Sequence, residues 1–106
     1  MAYAKLTATG KTLQTHSTAR CRVMGAMFDN ANATKAYLQV FDAAAADVTL
    51  GTTVPKLIVP IASLETLRVM GLELQMTGPA LSAAVTTTPT GSTLVTTDGM
   101  LCLILE

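Results

Sequence analysis

Aromatic rings and charge are what this chain of 106 residues has least of. Aromatics make up 4% of it, with no tryptophan, and charged residues 13%, against ~25% in ordinary soluble domains. A nucleic-acid-binding face wants clustered Lys and Arg with stacking rings. Here 7 basic and 7 acidic residues are scattered and cancel to a net charge of +0, so that class is disfavoured. Apolar runs are also short. None approaches the ~18 residues that cross a bilayer as a helix. The start, MAYAKLTATGK, has no uninterrupted apolar core of a secretory signal, which leads to an expectation of no membrane partner and of synthesis in a cytoplasm.

Histidine is nearly absent too. His16, the only one, sits in a threonine-rich stretch without cysteine or carboxylate at metal-ligand spacing, which reads as a solvated side chain. The two cysteines, Cys21 and Cys102, lie far apart within apolar runs and read as buried thiols, a disulfide being the alternative. Five methionines, Met24, Met27, Met70, Met76 and Met100, read as gap-filling core or interface residues. Asp29, Asp42, Asp47 and Asp98 all fall at turns, without the dense spacing of a calcium loop. The serines and threonines have no positioned base, and Gly51, Gly71, Gly78 and Gly91 are isolated rather than a phosphate cradle. The expectation is no catalytic, cofactor or metal site.

What is present is small, hydroxyl-bearing and apolar. Half of the residues are hydrophobic, and a chain of this size buries roughly 65% of its unfolded surface as one domain. With so little charge to cover it, self-association or docking on a larger body is expected.

Residues 1–17 read as a first strand, Ala4 to Thr9 turned at Gly10, or as an arm ordered against a neighbour. Residues 18–106 read as the main domain. From Thr18 to Phe28 the pattern has period two, with Cys21, Val23, Gly25 and Met27 on one face and Arg20, Arg22, Met24, Ala26 and Phe28 on the other. Residues 29–33, DNANA, are turn chemistry. Asn32-Ala33-Thr34 fits a glycosylation acceptor and reads only as a surface turn. Lys35 to Phe41 is a strand, and residues 42–47 a helical turn or bulged loop in which Asp42 suits a cap. Val48 to Val54 reads as extended into Pro55. Lys56 to Ile61 is a strand whose Pro60 places it at a sheet edge. Leu64 to Met70 and Leu72 to Met76 read as two strands about Gly71, with a helix over 63–76 as the competitor. Leu81 to Thr86 is a short strand, Asp98-Gly99 a hairpin signal, and Met100 to Leu105 a strand buried on both faces or covered by a neighbouring chain. About eight short antiparallel strands with little helix make an all-β domain, a β-sandwich or jelly roll.

The stretch Ala36-Tyr37-Leu38-Gln39-Val40-Phe41-Asp42 with its alanine-rich turn, the Gly51-Thr52 to Pro55 strand entry running through Lys56 to Pro60, the Gly71-Leu72 pair and the run from Ala80 to Thr88 resemble small jelly-roll virion proteins of bacteriophages. Proline follows Gly78 where that pattern has leucine, and the Leu64 to Met70 segment lacks its Pro-x-Gly turn. The resemblance implies a structural part of the particle: a decoration or cement protein, a homotrimer bound to the major capsid protein on the outer head lattice. A tail, neck or baseplate component is the alternative on the same fold. A carbohydrate-binding module is a third reading, for which Tyr3, Phe28, Tyr37 and Phe41 are the only rings available.

Overall fold

The computed structural model describes residues 3–7, 13–17, 21–78, 80–95 and 101–105. Among them are eight strands: β1 (Tyr3–Thr7), β2 (Gln14–Ser17), β3 (Arg22–Asp29), β4 (Ala36–Phe41), β5 (Leu57–Ile61), β6 (Thr66–Gln75), β7 (Leu81–Thr86) and β8 (Leu101–Leu105). They form two four-stranded antiparallel sheets, one in the order β1-β8-β3-β6 and the other β2-β7-β4-β5. Only the β4–β5 connection stays within a sheet; every other one crosses to the opposite sheet. One core lies between them. Val23, Ala26, Phe28, Leu101 and Leu103 from the first sheet meet Leu38, Val40, Leu81, Ala83 and Val85 from the second.

Residues 3–7 and 14–17 are therefore strands of the two sheets, β1 beside β8 and β2 beside β7. The expected turn at Gly10 and the Asp98-Gly99 hairpin signal lie outside the described residues. Pro60 sits where its missing N–H costs nothing, in β5 at the free edge of its sheet, opposite Tyr37.

Several expectations are corrected. The strict alternation of β3 breaks at a bulge between Val23 and Gly25, so Ala26 and Phe28 join Val23 in the core while Met27 is half-buried. An extra residue in a ladder turns the following side chains to the other face. β6 is one continuous ten-residue strand rather than two, and it carries its side of the irregularity between Met70 and Leu74, with Gly71 at φ 78°. Leu64 belongs to the preceding turn at φ 57°. Val48 to Val54 is no extended segment: the amides of Thr52 and Thr53 both bond the Thr49 carbonyl, and Gly51 turns at φ 86°. Of the alanine-rich stretch, Ala45–Asp47 form one turn of 3-10 helix.

β4 and β7 are buried on both faces. The outer face of their sheet is covered by two long connections, residues 42–56 and 87–95. The Ala45–Asp47 turn packs on β7, and the Ala45 amide donates to Thr15 Oγ1 at 2.9 Å. Gly51 rests against Ser92, which leaves 3.2 Å between an added Cβ and that side chain. Under this cover Phe41 is fully buried, and Gln39 Nε2 donates to Thr86 Oγ1 at 2.6 Å and to the Gly91 carbonyl at 3.2 Å. A Cβ on Gly91 would collide with Thr88 Oγ1, so a larger residue where this cover folds back would displace that hydroxyl.

Candidate interaction surface

The two ends of the sandwich are tied by buried or partly buried polar groups. At one end Asn30, 1% exposed, donates from Nδ2 to the Ala62 carbonyl at 2.9 Å and accepts at Oδ1 from the amide and side chain of Asn32. Its own amide donates to the Glu65 carbonyl. The β3–β4 and β5–β6 turns are thereby locked together. Asn32 is itself buried, which corrects its reading as part of a surface turn.

At the opposite end Asp42 does not cap the helical turn, whose N-cap is Ala44 without a side-chain bond. It instead accepts from Thr77 Oγ1 at 2.7 Å, the Thr77 amide at 3.0 Å and the Gly78 amide at 2.8 Å, with Lys56 Nζ at 3.5 Å. Partial burial works to raise the Asp42 pKa, but the Thr77 hydroxyl and amide, the Gly78 amide and the Lys56 charge outweigh it. The pKa is held at about 2, against an ordinary 3.8. This clasp joins the end of β4 in one sheet to the β6–β7 connection leaving the other.

Neither end assembles reactive groups. Among the described residues no three His, Cys, Asp or Glu side chains converge as metal ligands. Asp29 is exposed and accepts from Thr66 Oγ1; Asp47 is exposed in the helical turn; Asp98 lies outside the described residues. Of His16 only the backbone, in β2, is described. Phe28 and Phe41 are buried, and Tyr37 is half-buried with Lys35 Nζ 5.7 Å above its ring, so these three do not form an open stacking platform. Cys21 is buried beside the start of β3, while the backbone of Cys102 lies opposite Met27 near its far end. Six residues of strand at ~3.3 Å each put the two roughly 20 Å apart, far beyond the ~7 Å that a disulfide spans between Cα atoms.

The surface that departs from ordinary lies along β5 and β6, each an edge strand of its sheet, joined at one end by residues 62–65 and held near the other through Asp42, which bonds Lys56 and Thr77. Leu57, Val59, Leu67, Leu72 and Leu74 pack against the core there but are only half-buried. Around them Val54 is 85% exposed, Leu64 70%, Met70 65% and Ile58 36%. These apolar side chains leave the core partly uncovered along two edge strands. The sequence carried the signal in its low charge and in Pro60. That β5 and β6 are both edge strands was not legible, because it follows from strand order.

In comparison with known proteins, the chain matches no family model, no curated protein and no solved structure.

Proposed function

We propose that this protein is a structural component of a bacteriophage virion, a head decoration or cement protein on a jelly roll, which binds the major capsid protein at the outer surface and stabilises the lattice. The observation that carries the reading is the open β5/β6 side, where a half-covered core and four exposed large apolar residues await another body. Sheet orders β1-β8-β3-β6 and β2-β7-β4-β5, with all but one connection crossing between sheets, support the jelly-roll assignment. The low charge and net charge of +0 support a chain that works in an assembly. The resemblance of Ala36 to Asp42 and of Gly51 to Pro60 to phage virion proteins supplies the particular body, and a homotrimer is the stoichiometry it implies.

The test is made on purified particles. Quantitative mass spectrometry of isolated heads and of isolated tails gives the copy number in each: hundreds on heads are expected for a decoration protein, and heads lacking the chain lose their DNA at lower temperature. A few copies confined to tails would transfer the protein to the tail, neck or baseplate. Absence from both would reject a virion role.

A further inference from the structure

We infer that β6 is a self-complementary edge through which two copies of this chain join, antiparallel, about a two-fold axis perpendicular to the sheet. Within the sheet β6 has a neighbour on one side only, β3. Its ten residues extend over roughly 33 Å. Edges of this length are ordinarily blunted by proline, lysine or inward charge. β5 carries Pro60; β6, TLRVMGLELQ, carries neither proline nor lysine, and its two charges, Arg68 and Glu73, point to solvent.

The exposure of β6 reads the same in both directions about the Met70-Gly71 bond: exposed, half-buried, exposed, half-buried, exposed, and then the mirror order. Rotating a second copy about that point sets Leu67 against Leu74, Arg68 against Glu73 and Val69 against Leu72. Directly opposed residues of an antiparallel pair share a face. In an unbroken strand, residues 67 and 74 would face opposite ways, and this register would be forbidden. The irregularity at Met70 and Gly71 reverses the alternation and permits it. The chirality of the chain couples the face of a side chain to the direction of its backbone N–H and C=O. Residues 67, 69, 72 and 74 therefore send those groups to the same lateral side and meet their counterparts in register.

Two further complementarities fall at and beside the axis. Met70 is 65% exposed and comes opposite Gly71 of the second copy, where an added Cβ would find nothing within 4 Å. A long flexible side chain thus meets an empty place. Arg68 and Glu73 have no ionic partner among the described residues, and the rotation creates two Arg68–Glu73 pairs at once. The result is a continuous eight-stranded sheet with both cores on the same face. This contact is distinct from closure into a trimer; combined with a three-fold contact elsewhere it would give six copies. It takes the β6 edge with Met70 and leaves Val54 and Ile58, before and on β5, for the body the protein decorates.

The experiment is sedimentation equilibrium of the full chain from micromolar to millimolar concentration, at low and high salt, with Arg68→Glu, Glu73→Arg and the double reversal. All three changes are at exposed positions, and far-ultraviolet circular dichroism checks that each variant is folded. A concentration-dependent dimeric step is expected. Each single reversal sets two like-charged pairs face to face and weakens that step roughly tenfold, and the double reversal restores it to within about threefold. High salt reduces the differences among variants. A chain that stays monomeric at millimolar concentration overturns the inference. So does an assembly of any size that both single reversals leave unchanged, since its contact then lies elsewhere.

Discussion

Replacing Asp42 by asparagine tests the clasp that holds the two sheets together at one end. The carboxylate receives two bonds from Thr77 and one from the Gly78 amide, with Lys56 alongside. Asparagine keeps one acceptor, which can serve Gly78, and turns an NH2 toward the hydroxyl, amide and ammonium that Oδ2 had accepted from. The charge contribution follows from linkage: a pKa of about 2 in the folded chain against 3.8 is worth about 2 kcal/mol at ~1.4 kcal/mol per pH unit. The side chain is 18% exposed, and screening leaves about 1 to 2 kcal/mol. The sign follows from the lowered pKa. The contribution is complete above pH ~4, where the unfolded carboxylate is also ionised, and disappears as pH falls toward 2. Urea unfolding of both proteins at pH 7, 5, 3 and 2 measures it, and the other carboxylates cancel because both proteins carry them. The variant is expected to be less stable by about 1 to 2 kcal/mol at pH 7, with the gap narrowing by more than half at pH 2. A gap that is constant with pH would refute the argument that ionised Asp42 is the stabilising form.

Other outcomes follow from packing. Phe41→Ala empties a fully buried site under the outer cover and is expected to cost about 3 to 5 kcal/mol in the same assay; a cost well under 1 kcal/mol would mean that the cover does not seal the ring. Ser82→Ala removes a buried hydroxyl that has no partner among the described residues, and is expected to leave stability unchanged or raise it by up to about 1 kcal/mol, whereas a clear loss would reveal a hydrogen bond to buried water. Gly25→Ala puts a Cβ 2.7 Å from the Val69 carbonyl at the bulge, and is expected to destabilise the fold by more than 1 kcal/mol; a neutral result would show that β6 yields there. Intact mass of the unfolded chain, with and without alkylation, is expected to show that Cys21 and Cys102 are not bridged to each other. A mass lower by two protons' worth without reductant, in the monomer, would contradict the strand register.

The fold was legible where neighbouring residues decide the structure. Ala36 to Phe41 and Leu81 to Thr86 carry strand-forming side chains between turns, and Pro60 announces an edge through its missing donor. What could not be read depends on contacts distant in sequence. The β3 bulge at Val23 and Gly25 is set against both neighbours, Leu74 and Met70 of β6 and Leu105 and Ile104 of β8, so periodicity alone assigned Ala26 and Phe28 to the wrong face. Gly71 looked like a break between two strands because its positive φ is absorbed by that same irregularity. Asn30 and Asn32 looked like surface residues because the carbonyls that accept from Asn30, those of Ile61 and Ala62, lie some thirty positions away, and Asn32 is held in turn by donating to Asn30. Asp42 suited a local cap, yet its partners Thr77 and Gly78 are 35 and 36 positions on. The interaction surface shares this origin: β5 and β6 each show an ordinary pattern, and only the order of the two sheets makes both of them edge strands.

In the proposed role the β5/β6 side of the protein is covered within a phage particle. A density map of the intact virion measures that directly. The account expects many copies of an eight-stranded sandwich on the outside of the head, with Ile58, Leu64 and Met70 in contact with a neighbouring chain. Particles without such a sandwich, or copies whose β5 and β6 edges face open solvent, would contradict it.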